Sequence, residues 1–295
     1  MSRVILTLAL LALLALLALF GCGGGGGGEP QVPPPVDVKW TEVMEDANTL
    51  LIPGIHGFYD LSVGGTRVSE VVNAPLSCDG AGCANEGEPL AVSAIFDDEL
   101  EVLETGRRGS FQTMTATQGD ERDALNPGII DVAPTTLPDL RAYGLWGNHG
   151  FAAVMLAHGP VADTTDGVEL TGRISFALPV ALGDSPGSSP SGMGGATWRG
   201  IASAVSLTTY EVEDGTSVIT IPDLASPRVN VDVLIDSQSV AKPSWRGLAL
   251  TGGRYAAGTF GEDRLDGIFA GPAHQETYGV FGTDAYVGAF GAKRQ

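Results

Sequence analysis

Three cysteines and four histidines bound the side-chain chemistry this 295-residue chain can carry. Cys22 stands in LFGC (19–22), after the apolar run Val4 to Phe20, which only Thr7 interrupts, with Arg3 ahead of it. A positive start, an apolar stretch and a small residue before Cys form a secretory signal with a lipobox, so acyl chains are expected on Cys22. The apolar run is at the short end for a membrane span, and the Gly run after it fits cleavage better. Cys78 and Cys83 sit close together in SCDGAGC (77–83). Two thiolates alone make an incomplete metal site, whereas export places them where disulfides persist, so a Cys78–Cys83 bridge is expected.

His149 lies in GNHGF (147–151) beside Trp146 and Phe151, and His274 lies in GPAHQ (271–275). Neither has a second ligand nearby in sequence. His149 reads as a packed or hydrogen-bonded imidazole and His274 as a turn residue, so no metal is expected. DTTDGVE (163–169) lacks the alternating acidic register of a calcium loop and reads as a hairpin. Asp97, Asp98, Glu99, Glu101 and Glu104 form an acidic run whose default is solvated surface, with docking of a basic partner as the alternative. No H-E-x-x-H, P-loop or dinucleotide fingerprint occurs, so no enzyme and no cofactor are expected. The formal net charge of −19 opposes nucleic acid as a partner and, apart from the anchor, opposes anionic lipid.

The elements that must position these residues read as strands. After the signal, Gly23 to Gly28 and EPQVPPP form a tether reaching on the order of 20 Å or more. Forty-two Gly and 18 Pro break the rest into short period-2 runs, the mark of an all-β chain. Glu42 to Leu51 is expected as a short helix, and the half before residue 160 as a loop-rich β region. Strands are expected over 168–178, 196–207, 217–221, 229–235, 245–250, 254–260, 265–270, 277–281 and 286–292, with an Asp-Gly hairpin turn in EDGTS (213–217). Eight or nine hairpin-linked strands in this space suit a small closed barrel. Val229, Val231, Val233 and Ile235 share one face, as a barrel interior requires. Two WRG units place Trp198 and Trp245 as interior plugs. Gly267 lies between Leu265 and Phe269, and Gly288 between Tyr286 and Phe290, leaving room for large neighbours in a tightly curled sheet.

GTFGEDRLDGIFAGPAHQETYGVF (258–281), YVGAFGAKRQ (286–295), PSGMGGATWRGIA (190–202) and RAYGLWGNHGFAAV (141–154) resemble segments of the transferrin-binding protein B-like lipoproteins. The F-G-A-K-R ending is the most telling of these. The resemblance covers roughly residues 141–295, and it implies an eight-stranded antiparallel barrel packed beside an N-terminal, handle-like β domain. It also implies an outer-membrane, surface-displayed lipoprotein whose better-known relatives capture host proteins such as transferrin, haemoglobin or factor H. This chain has one barrel where the transferrin receptors have two, and none of their ligand loops can be matched.

The expected organisation is a signal over 1–21, lipidated Cys22 and tether over 22–36, a handle-like β region over 37–160 and the barrel over 161–295. The function expected is binding of an extracellular protein or other ligand through barrel and handle loops, without catalysis. The alternative is a periplasmic or surface lipoprotein that holds a small solute or metal in the barrel mouth. A structural or assembly role with a filled barrel is the third reading.

Overall fold

The computed structural model describes residues 48–75, 138, 140–165, 168–235, 243–259 and 263–295, together with the strand backbones 77–79, 82–85, 88–90, 100–102 and 113–118. The signal, the tether, Cys22 and most of the acidic run at 97–104 lie outside them. The described residues are all-β, with no helix among them. Of the expected helix over 42–51, the described end is a strand, β1 (Thr49–Leu51).

β2 (Gly54–Val63), β3 (Thr66–Pro75), β9 (Leu140–Trp146), β10 (Gly150–Thr165) and β11 (Val168–Gly183) build the handle sheet. With β7 (Leu100–Val102) and β8 (Thr113–Gln118) it runs β3-β2-β11-β10-β9-β8-β7, and β1 adds to β11. β4 (Ser77–Asp79), β5 (Gly82–Asn85) and β6 (Glu88–Leu90) form a separate small sheet. The strand starting at Val168, assigned to the barrel by the sequence pattern, belongs to this handle. β10 and β11 pair over their full lengths, from Gly150↔Gly183 to Thr165↔Val168. That hairpin of two 16-residue strands carries the chain back across the handle, so the barrel begins only at Ala196. Of the DTTDGVE stretch, Thr164 and Thr165 pair with Glu169 and Val168, the hairpin pairing expected.

Eight strands close the barrel: β12 (Ala196–Ser206), β13 (Val212–Ile221), β14 (Arg228–Ile235), β15 (Ser244–Thr251), β16 (Arg254–Ala257), β17 (Arg264–Ala270), β18 (Glu276–Gly282) and β19 (Tyr286–Arg294). β12 pairs with β19 from Trp198↔Arg294 to Ser206↔Tyr286, which removes the sheet's edges. Val229, Val231, Val233 and Ile235 all point into the barrel core, with Trp198, Trp245, Tyr255, Phe269, Phe281 and Phe290. The glycines of the C-terminal strands seat those rings. A Cβ on Gly267 would lie 2.3 Å from the Tyr255 ring, on Gly279 2.4 Å from Phe290, and on Gly288 2.5 Å from Phe281. Curl also comes from a register shift between Val229 and Val231 opposite β15, where Gly247 has φ +65° and donates its N–H to Asn230 Oδ1 at 2.8 Å.

The EDGTS turn is not a turn. Asp214 and Gly215 lie inside β13, paired with Ser203 and Ala202 of β12. Gly215 is needed there because a Cβ would come within 2.3 Å of the Leu234 carbonyl oxygen. The hairpin bend falls earlier, between Ser206 and Val212.

Candidate ligand-binding cleft

The outer face of β17–β19 packs on the handle sheet. Leu51, Leu145, Ala152 and Ala181 from the handle interleave with Ile268, Tyr278, Val280 and Ala289 from the barrel. Val154, Leu156 and Ala177 continue the seam against Val205 and Val287. β18 is therefore buried on both faces, which explains why ETYGVFG carries apolar and small residues without alternation.

A buried carboxylate crosses this seam. Glu276, 2 % exposed, accepts from the backbone N–H of His149 at 2.8 Å, and from the N–H and side-chain amide of Asn148 at 3.1 Å each. It also accepts the Tyr278 hydroxyl. Gly147 makes the approach feasible, since a Cβ there would overlap the Tyr278 hydroxyl oxygen. The His149 ring lies against Gly271, whose φ of +79° favours glycine. His149 is thus a half-buried packing residue, as its sequence context suggests. His274 occupies the GPAHQ turn at φ +55°; its Nε2 lies 2.9 Å from the Ser188 carbonyl oxygen, and its own carbonyl accepts the Trp198 indole N–H at 2.8 Å. Among the described residues no group of three or more His, Cys, Asp or Glu gathers to hold a metal ion.

His56 is buried in the same seam, with Nδ1 2.9 Å from Asn73 Oδ1 and its ring toward Gly282 of β18. Burial lowers its pKa below the ordinary 6.5, partly offset by the Asn73 hydrogen bond. The unfolded chain then takes up the proton first. Stability is at its full value above about pH 6.5 and declines as pH falls below it, by up to about 1.4 kcal/mol per pH unit. Urea unfolding at stepped pH should show that slope, and His56→Gln should flatten it.

Where the seam ends, the two parts diverge around a cleft of about 830 Å³. The handle contributes Arg141 and Tyr143 from β9, with Leu156, His158 and Pro160 from β10. Strand alternation puts Leu156 and His158 on the face that packs the barrel, and here that face runs past the barrel's edge. The barrel contributes Tyr210 and Glu211 from the β12–β13 turn and Val212 and Glu213 from the start of β13. His158 and Tyr210 stack, with centroids 5.9 Å apart and planes within 9°. His158 Nδ1 meets the buried Ser175 hydroxyl at 2.8 Å, which fixes the ring. Tyr210 has φ +55°, uncommon for a residue with a side chain. The turn imposes it: Tyr210 N–H donates to the Ser206 carbonyl, and the Ser206 hydroxyl accepts from the N–H groups of Thr208 and Thr209. Half-burial raises the Tyr210 pKa above 10, so the phenol is neutral. Glu213 accepts the Tyr286 hydroxyl at 3.1 Å. None of these cleft residues stood out in sequence. The available signals were a His on an otherwise apolar strand face in VMLAHG and an aromatic residue in the TTYE bend.

No protein-family model and no curated protein matches the chain. Several solved structures do resemble it in fold. The isotype 1 transferrin binding protein B of serogroup B Neisseria meningitidis matches with a TM-score of 0.37 and 11 % identity, over 82 % of this chain and 43 % of that one. A Trp-176-Ala mutant of transferrin binding protein B from Haemophilus parasuis Hp5 matches at 0.39 and 12 % identity, over 82 % and 45 %. The chain thus spans less than half the length of these two proteins. The N-lobe domain of lactoferrin binding protein B from Moraxella bovis matches at 0.32 and 12 % identity, over 83 % of this chain and all of that domain.

Proposed function

We propose that the chain is a non-enzymatic binding module, anchored in the outer membrane by lipid on Cys22 and displayed on the cell surface, where its loops and cleft engage an extracellular partner. The observation that carries this reading is the union of barrel and handle through one apolar seam and a buried carboxylate, in a chain whose sequence carries a lipobox and a Gly/Pro-rich tether. A body held this way presents its loops in a fixed relation while the tether holds it off the bilayer. The barrel core is occupied by Trp198, Tyr255, Phe269, Phe281 and Phe290, so a small ligand has a better place in the cleft than in the barrel mouth. Cells fed an alkyne-bearing fatty acid should label the protein, and Cys22→Ala should abolish the label and release the protein from membranes. Label retained in Cys22→Ala overturns the anchor.

The Cys78–Cys83 disulfide belongs to the same reading. Their side chains lie outside the described residues, but the backbone register of β4 and β5 sets the two residues directly opposite each other. Opposed residues of an antiparallel pair have Cα atoms about 4.5–5.5 Å apart, within the range a disulfide spans. Iodoacetamide should modify neither cysteine in native, exported protein and both after reduction. Modification without reduction contradicts the bridge.

A further inference from the structure

The cleft offers rings and hydroxyls rather than free charge. Arg141 and Glu213 in its lining already have partners, and Glu211 is exposed to water. Tyr143 and Tyr210 are different: among the described residues neither hydroxyl meets a hydrogen-bond partner. We propose that this cleft binds a proline-rich segment in the polyproline II form, and that its resident occupant is the chain's own tether, Glu29 to Pro35. The docking needs neither lipid on Cys22 nor display outside the cell.

Three observations point to this ligand class and this occupant. The first is the match of donors to acceptors. A proline-rich segment has carbonyl acceptors, few N–H donors and no internal hydrogen bonds. It suits a cleft whose unmatched groups are phenols, and half-burial keeps the Tyr210 phenol protonated and able to donate. Leu156, Pro160 and Val212 complete the aromatic and apolar wall on which polyproline ligands lie. Tyr210 is held at φ +55° by the hydrogen bonds of its turn, and strain kept at a concave place is typical of binding sites. The second is the sequence of the tether. PQVPPP (30–35) holds four prolines in six residues and the only consecutive prolines in the chain. At three residues per turn, Pro30 and Pro33 fall on one edge. The third is reach. Asn48 donates its N–H to the Gly183 carbonyl, level with Gly150. His158 lies eight residues along β10 from Gly150, a distance of about 26 Å. The 13 steps from Pro35 to Asn48 span up to about 43 Å, enough to turn back and arrive. With the tether docked, only Gly23 to Gly28 separate Cys22 from the docked segment, and another ligand must displace it to enter.

Isothermal titration with the end-blocked peptide EPQVPPPV tests both parts. It is run on the full-length protein in detergent and on a full-length tether variant carrying Pro30→Ser, Pro33→Ser, Pro34→Ser and Pro35→Ser. The variant has lost its own occupant and should bind the peptide saturably with Kd below about 1 mM. The unaltered protein should bind it about tenfold more weakly, because a tether at millimolar effective concentration competes. The peptide ESQVSSSV should bind neither. Adding Tyr143→Phe to the variant should weaken binding about threefold or more, the loss of one neutral hydrogen bond. Adding Tyr210→Asn, which tolerates the turn's φ, should weaken it further. The ligand class is overturned if EPQVPPPV fails to bind the tether variant at about 10 mM, or if ESQVSSSV binds equally well. The occupant is overturned if the unaltered protein and the tether variant bind EPQVPPPV with equal affinity. These outcomes change only the peptide and the tether, so they do not depend on a cleft variant folding.

Discussion

Replacing Glu276 by alanine lowers the stability of the whole chain by about 2–6 kcal/mol, because the buried Tyr278 hydroxyl and the His149 N–H each lose this acceptor at about 1–3 kcal/mol. The carboxylate is nearly solvent-free and is held by dipoles from the other half of the molecule. The exposed Asn148 amide turns to water when the carboxylate is removed, so its bonds add little. Glu276→Gln keeps the shape but turns an NH₂ toward groups that donate, so it recovers only part of the loss. Urea unfolding reads the result as a lowered midpoint with little change in slope. A loss under about 1 kcal/mol would mean that the seam stands on its apolar contacts alone.

Trp198→Ala costs a similar amount for a different reason. The indole is fully buried in the barrel, 4.7 Å from the Phe269 ring and beneath the Arg294 guanidinium at 5.5 Å. Its deletion leaves a cavity at the β12–β19 closure, worth about 3–5 kcal/mol. Trp198→Phe retains much of that volume and loses the N–H donated to the His274 carbonyl, which costs about 1–2 kcal/mol. The alanine variant must therefore unfold well before the phenylalanine variant in a thermal melt. Equal midpoints would show that the indole N–H, not the volume, is what the closure needs.

These two residues also show how far the chain can be read without coordinates. Trp198 was legible because a large residue in a period-2 strand has few places to go, and the glycine between large neighbours announced a curled sheet. Val229 to Ile235 were legible for the same reason, since one face is core and the other is not. Glu276 was hidden: a lone acid after a turn looks solvated until the handle brings two N–H groups to it. β11 was misplaced because a strand's own pattern does not say which sheet it joins; its pairing with β10 and β2 decides that. Asp214-Gly215 looked like a hairpin because glycine at a close backbone crossing and glycine in a tight bend leave the same letters. The cleft depends on His158 meeting Tyr210, 52 positions later, and no local pattern carries that distance.

Protease treatment of intact cells, followed by detection with an antibody to the barrel, tests the proposed display most directly. Surface display requires loss of the barrel signal from intact cells, and loss of surface retention in Cys22→Ala. Survival on intact cells, with digestion only after the outer membrane is permeabilised, would contradict surface display and place the module in the periplasm.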